Sequence, residues 1–234
     1  MGHEEFAFHY PARKKIFKNL MNSFSLHELI GNTDIYLLDQ IMKGGYIAGE
    51  KILDTGCGNG RNLIWFLKND FEVYAVDRDP AAIKYLESVH PDFNKERLQV
   101  AEIDKLPFGN NFFDHVISSA VLHFAKSVLH FNDMIKEMVR VLKPNGSLFI
   151  RMTSDIGIEN KIQHIENGVY HIPDGSIRFL LTPNLLKNMM YKNNLSFIEP
   201  LKTVNVDGLR CMSTLVLRKK YEFIELVPIQ SILN

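Results

Sequence analysis

The sequence predicts an α/β fold: a doubly wound sheet, mostly parallel with an antiparallel last strand, and helices on both faces. Three observations predict it. Short apolar runs alternate with amphipathic segments between residues 51 and 151. Two of those runs, Val116-Ile117 and Leu148-Phe149-Ile150, are continuously apolar, as parallel strands covered on both faces require. A glycine cluster, Gly56, Gly58 and Gly60, directly follows the first run. In open α/β sheets, ligands bind in the crevice outside the strand carboxyl ends.

The elements follow in order. Apolar residues Ile16, Phe17, Leu20, Met21, Phe24 and Leu29 give residues 13–29 the period of an amphipathic helix. Thr33-Asp34 is a cap candidate for a second helix through Ile35, Leu37, Leu38 and Ile41, ended by Gly44-Gly45. Residues 51–55 are the first strand and 62–69 a helix. Residues 71–77 are the second strand, with Val73, Ala75 and Val76 inside it. Residues 80–89 form a helix whose first-turn Pro80 gives up no needed donor. Residues 97–101 and 112–119 are the third and fourth strands. A long helix over 128–142 stops before the turn Lys143-Pro144-Asn145-Gly146, and 147–151 are the fifth strand.

Beyond Arg151 the pattern weakens. Residues 153–181 hold Gly157, Gly168, Pro173 and Gly175, show no clean period, and are expected to be irregular. Thr182-Pro183 opens a helix over 184–192. Residues 196–206 and 212–217 read as two final strands joined by Asp207-Gly208, a hairpin signal. The tail, 221–234, is apolar enough to dock on the body. The whole is expected to be one Rossmann-like domain over 1–234. Within it, 1–50 form a helical cover, 51–151 a binding core, and 152–234 a substrate-side insertion, the last strands and the tail.

Composition narrows the function. At 234 residues, 46% hydrophobic and 23% charged, the chain can bury a sizeable core and is not intrinsically disordered as a whole. Lys and Arg balance Asp and Glu at 27 each. The global field that collects nucleic acid or an anionic membrane is therefore missing. Cys57 and Cys211 cannot build a disulfide framework and fit a reducing compartment. Residues 1–10 lack a signal-peptide pattern, and no apolar run approaches the ~20 residues of a membrane span. A soluble cytoplasmic protein is expected.

The chemistry sits in Asp54-Thr55-Gly56-Cys57-Gly58-Asn59-Gly60-Arg61-Asn62. Glycines on alternate positions let the backbone turn sharply and let a ligand approach, while the helix that follows offers free N–H groups. Asp77 ends the second strand, where a carboxylate can accept both ribose hydroxyls of an adenosine. A dinucleotide fingerprint would read Gly-x-Gly-x-x-Gly, but Arg61 stands at its third glycine position. Asp54, before the loop, disfavours a pyrophosphate and favours a ligand with a cationic end.

Residues 52–60 resemble motif I of the class I S-adenosylmethionine-dependent methyltransferases. Val73-Tyr74-Ala75-Val76-Asp77 resembles the acidic end of their second strand. Ala101 to Phe108, then Phe112 to Ile117, resemble their acidic turn and fourth strand, and Arg140 to Leu148 their helix end and fifth strand. The resemblance covers residues 51–151 in register. Gly60-Arg61-Asn62 is also similar to the small-molecule branch that includes tellurite-resistance and thiopurine-type methyltransferases. The resemblance implies that Asp54 holds the methionine ammonium and that Gly56 and Gly58 admit the methionine portion, with Cys57 and Asn62 in the same binding loop. It further implies that Asp77 binds the ribose and Arg78 flanks the adenine. Glu102 and Ile103 would face the adenine, and the backbone at Ser119 and Ala120 would close over the methionine end. Glu102 departs from the Asp common in relatives. Cys57 is either a thiol activated by the helix N-terminus or a small buried filler.

On the acceptor side, His123 is a candidate base on a hydroxyl, thiol or amine, or a packed histidine. Phe124 beside it, with His171 and Arg178 from the excursion, are candidate substrate contacts, Arg178 as a clamp for an anion or as a surface charge. His9, Tyr10 and Phe17 are candidates for a lid. The nine histidines show no His-x-x-x-His spacing, so no metal is expected.

The expected activity is S-adenosylmethionine-dependent methyl transfer to a small molecule by in-line displacement. That reaction needs alignment and dryness more than a catalytic triad. No nucleic-acid or membrane partner is expected; Ser118-Ser119-Ala120-Val121 stands where an Asn-Pro-Pro-Tyr-like motif would point to amino groups of bases or protein amides. The competing readings are a module that binds S-adenosylmethionine or S-adenosylhomocysteine without turnover, and an NAD-dependent oxidoreductase.

Overall fold

The computed structural model describes residues 26–221. An eight-stranded sheet forms its centre. Its strands are β1 (Lys51–Thr55), β2 (Glu72–Asp77), β3 (Leu98–Val100), β4 (Phe113–Ser119), β5 (Leu142–Thr153), β9 (Leu195–Phe197), β10 (Lys202–Val206) and β11 (Arg210–Lys219). The order is β10-β11-β5-β4-β1-β2-β3, with β9 paired to β11. The five strands β1 to β5 run parallel, and β11 joins β5 antiparallel. This is the doubly wound, mostly parallel arrangement expected, with its chain reversal at the far edge.

Helices cover both faces, and strand alternation decides which residue serves which face. Ile52, Ile117, Phe149 and Val216 join one core. It is covered by α2 (Ile35–Met42), α3 (Ile64–Leu67) and α4 (Pro80–Val89) through Leu37, Phe66, Ile83 and Leu86. Leu53, Val116, Leu148, Ile150 and Leu217 join the other. It is covered by α5 (Val128–Val141) and α6 (Pro183–Lys192) through Phe131, Ile135, Met138 and Met189. Each fully buried Leu, Ile or Phe contributes roughly 1.5–3 kcal/mol, so a one-residue slip of any central strand would exchange the two faces at great cost. Side-chain caps start the helices where expected: Asp34 accepts from Tyr36 N, Asp79 from Ala81 N, and Thr182 from Leu185 N.

Four expectations change. The helix expected over 62–69 shortens to α3, whose start has no side-chain cap. Residues 143–146 do not interrupt the fifth strand. Phe113 pairs with Leu142, but His115 pairs with Ser147, so these residues bulge out within β5. Asn145 there has φ of 66°, and a Cβ on Gly146 would meet Asp114 O at 2.7 Å. The segment 153–181 is not irregular. It carries a three-stranded antiparallel sheet of β6 (Gln163–Glu166), β7 (Val169–His171) and β8 (Ile177–Phe179). Its first strand is exposed throughout, so no apolar alternation marks it in the sequence. Residues 196–206 are two strands, β9 and β10, rather than one. The β10–β11 hairpin turns at Asp207-Gly208, both with positive φ. Of the helix expected over 13–29, α1 (Leu26–Ile30) is described; His9, Tyr10, Phe17 and the tail beyond Tyr221 lie outside the described residues. No helix among the described residues is long and apolar enough to cross a membrane.

Candidate active site

β1 delivers Asp54 and Thr55 to the carboxyl edge of the sheet, and the chain turns at once. Gly56 N and Cys57 N both donate to Val76 O, at 2.8 and 3.0 Å, and Gly60 N donates to Cys57 O. Gly58 N donates to Asp77 Oδ2 at 2.8 Å. The loop is thus tied to the end of β2. Gly56 has φ of 70°, and a Cβ there would lie 2.6 Å from Val121 Cγ2. Glycine is required on both counts.

A cleft of about 240 Å³ opens against this turn. Gly56, Asp77 and Arg78 form one wall, Ala101, Glu102 and Ile103 a second, and Ala120, Val121 and Phe124 a third; His130 and Met134 of α5 face it too. The second wall is held by α5. Leu106 N donates to Glu137, and Arg140 donates to the carbonyls of Leu106 and Phe108. Ala120, directly after β4, has φ of 65° and donates its N–H to Arg151 O at 2.7 Å. A non-glycine residue held there is a strained backbone position of the kind that clusters at binding sites.

Asp54 is the most unusual group. It is 1% exposed, and its Oδ2 has no hydrogen-bond partner among the described residues. Burial pushes its pKa up to about 7; Arg61 opposes that shift and the Asp77 charge adds to it. Asp77 is half-buried, with its second oxygen, Oδ1, accepting from Asp79 N. Burial, together with the charges of Asp54 and Asp77, raises the Cys57 thiol, so the structure places that residue as a buried thiol and not as an activated thiolate.

Beside the loop lies a charged knot that the sequence did not reveal. The Asp34 side chain is fully buried. It accepts from Arg151 Nη1 at 2.9 Å and Ser119 Oγ at 3.1 Å, with Arg61 Nη2 at 3.5 Å. Arg61 also donates to Ser119 Oγ. Ser119 therefore sits beside the site as part of this knot. Asn62 turns away from the cleft: its Oδ1 accepts from Asp34 N at 3.0 Å, tying α2 to the loop.

On the acceptor side, Phe124 is half-exposed and lines the cleft, while His123 is buried behind it with ring centroids 4.4 Å apart. Burial, with Arg178 and Arg210 nearby, lowers the His123 pKa to about 4, so the ring is neutral at pH 7. Arg178 lies over the Phe124 ring at 5.1 Å. His171 is exposed on β7, paired with Ile177, and outside the cleft wall. Val121, His130, Met134, Arg151 and Arg210 were missed. The i, i+4 spacing of His130 and Met134 on one helix face was the available signal for two of them. Among the described residues, no group of three or more His, Cys, Asp or Glu is placed to hold a metal ion.

Comparison with known proteins agrees with this geometry. Residues 53–150 match a methyltransferase domain. The chain is 35% identical over 123 residues to the uncharacterized methyltransferase YodH of Bacillus subtilis, covering 51% of this chain and 47% of that protein. It is 26% identical over 195 residues to the mouse tRNA N(3)-cytidine methyltransferase METTL6, covering 74% and 67%. Against the curated relatives YodH, a UbiE protein and a mycobacterial dimycocerosate methyltransferase, it spans about half of their length. Among solved structures, a SAM-dependent methyltransferase of Methanosarcina mazei superposes with a TM-score of 0.65 at 20% identity, over 78% of this chain and 98% of that one. The 1,6-didemethyltoxoflavin-N1-methyltransferase of Burkholderia thailandensis, solved with S-adenosylhomocysteine, gives 0.62 at 15% identity over 94% of both. Residues 53–150 thus carry a methyltransferase domain, and the chain shares the fold of these solved methyltransferases.

Proposed function

We propose that this protein moves the methyl group of S-adenosylmethionine onto a small-molecule acceptor. Asp54 carries the reading. It lies buried two residues before Gly56 of the cleft wall, and a carboxylate buried this deeply, with one oxygen lacking a partner among the described residues, calls for a cation. An amino-acid ammonium meets that need, whereas a dinucleotide pyrophosphate would be repelled. The bare backbone at Gly56 leaves the close approach that such a ligand needs.

The residues present fit the cofactor. Asp54 would hold the ammonium. Each Asp77 oxygen accepts one backbone N–H and keeps a lone pair for a ribose hydroxyl. Arg78, Glu102 and Ile103 would border the adenine, with Gly56, Cys57 and Gly58 under the methionine chain and Ser119 and Ala120 at its end. Asn62 would support the loop through Asp34. Bound S-adenosylmethionine supplies a methyl group on an activated sulfonium.

The chain then has to align the acceptor and keep water out. Val121, Phe124 and Met134 give the cleft apolar walls for both tasks. His123 is neutral at pH 7 and packs behind Phe124, with Nδ1 buried and unpartnered among the described residues. Its low basicity makes it a poor base for removing the acceptor's proton beforehand, and from this place it would act by holding the Phe124 wall. The β6–β8 sheet, through Arg178 over Phe124, would form the acceptor side, with His171 outside it.

A small molecule suits a cleft of this size and a chain without net charge. The likeness to METTL6 makes tRNA the competing acceptor. Calorimetry with S-adenosylmethionine, S-adenosylhomocysteine and NAD tests the cofactor, and stronger binding of NAD would overturn it. Transfer of labelled methyl to a small-molecule panel and to bulk tRNA tests the acceptor, and labelled tRNA with no labelled small molecule would overturn that half.

A further inference from the structure

We infer that the acceptor is a small organic anion whose carboxylate is gripped by Arg178 and Arg210. The inference rests on the methyltransferase reading and names the substrate class of that same cleft. Arg178 lies 5.1 Å over Phe124, a cleft-wall residue, yet among the described residues its only hydrogen bond goes to the carbonyl of its neighbour Ile177. No carboxylate among the described residues lies within salt-bridge distance of it. Arg210 starts β11, whose first residues pair with the end of β5 at the carboxyl edge of the sheet. Its single ion pair is loose, at 3.7 Å to Asp174. Asp174 Oδ1 accepts from Ser176 N and Oγ, and Oδ2 faces Arg210. Among the described residues Asp174 is the one carboxylate within ion-pair distance of either guanidinium, so two positive charges stand against one negative charge.

Both guanidiniums act on His123, whose ring packs on the cleft-wall residue Phe124; it is 7% exposed, with Nδ1 buried and unpartnered among the described residues. Two forks with open donors and a buried ring nitrogen lacking a partner form an incomplete polar cluster. A carboxylate completes it: guanidinium matches carboxylate geometry, and charge-assisted bonds are roughly twice as strong as neutral ones. The exposed edge of Phe124 offers a flat apolar surface beside the charge, which favours a planar anion.

The test uses the full chain loaded with S-adenosylhomocysteine and measures binding of matched acid and amide pairs by calorimetry and ligand-observed NMR. The pairs are benzoate with benzamide, salicylate with salicylamide, and anthranilate with anthranilamide. The acids are expected to bind at least about tenfold more tightly than their amides. Arg178→Gln and Arg210→Gln are each expected to remove most of that preference while leaving S-adenosylhomocysteine affinity unchanged. Arg178→Lys, which keeps the charge, is expected to retain part of it. Melting curves identify a variant that fails to fold, and the wild-type acid-to-amide ratio stands without any variant. Equal binding of acids and amides, no acid binding at millimolar concentration, or an undiminished preference in Arg178→Gln would overturn the inference. If S-adenosylhomocysteine itself does not bind the wild type, it is the cofactor reading that has failed.

Discussion

Asp54→Asn is expected to make the ligand-free protein more stable and the cofactor complex weaker. Burial lifts the Asp54 carboxyl from 3.8 to about 7 in the folded state. Its folded pKa is therefore above its unfolded one, and the folded protein holds the proton more tightly. Below about pH 3 the group is neutral in both states and costs nothing. As the pH rises from about 3 to 7 the unfolded chain ionises first, so folding loses stability. Above 7 both states are charged and the full cost of the buried charge remains. A shift of about three pH units at ~1.4 kcal/mol each makes that cost roughly 4 kcal/mol. Asparagine does not ionise. The variant is expected to match the wild type near pH 3 and to exceed it by about 2–4 kcal/mol at pH 8, on the order of 10 °C in Tm for a chain of this size. Its affinity for S-adenosylmethionine is expected to drop about 10- to 150-fold, the worth of a hydrogen bond to a charged group. Urea denaturation across that pH range and calorimetry at pH 8 measure both. A variant no more stable at pH 8 than at pH 3, relative to wild type, would refute the burial argument; unchanged affinity would refute the ammonium assignment.

Three further substitutions probe the same edge of the sheet. Gly56→Ala forces an alanine to φ of 70° and places its Cβ 2.6 Å from Val121, so a stability loss of about 1–3 kcal/mol and loss of S-adenosylhomocysteine binding are expected in melting and calorimetry. Asp77→Ala is expected to weaken S-adenosylhomocysteine by about 1–3 kcal/mol; unchanged affinity would remove the ribose assignment. Asp34→Asn leaves the Arg151 guanidinium without its buried anionic partner. It is expected to destabilise the fold by about 3 kcal/mol in urea titration, and a neutral result would show that the knot does not hold α2 to the sheet.

The core of the fold was legible because local rules and tertiary demands coincide there. A strand buried on both faces must be apolar throughout, and Val116-Ile117 and Leu148-Phe149-Ile150 are. A turn that needs positive φ favours glycine, and Gly56, Gly58 and Gly60 meet it. The three-stranded insertion failed on the same rules. β6 is exposed throughout, β7 is only partly covered and β8 buries Phe179 alone, so three such short strands carry too little alternation to show a period of two. Yet Asn167-Gly168, with φ of 51° and 88°, joins β6 to β7 in the manner that Asp207-Gly208 joins β10 to β11. That hairpin signal was present in the sequence.

The two halves of the candidate site differ in legibility for a physical reason. The cofactor half is assembled from the ends of consecutive parallel strands, so each contributing residue sits at a fixed place relative to a recognisable run: Asp54 at the end of β1, Asp77 at the end of β2, Ile103 after β3, Ala120 after β4. Order along the chain is order along the crevice. The acceptor half is assembled across the antiparallel edge. Arg178 arrives from the inserted sheet and Arg210 from the strand that reverses direction, and neither is separated from His123 by any regular spacing. Arg178 looks like a surface charge until β8 packs on the turn holding His123 and Phe124. Asp34 looks like nothing more than a helix cap until Arg61 and Arg151 converge on its other oxygen. The proposed cofactor half is thus written in local sequence and the proposed acceptor half in tertiary contacts.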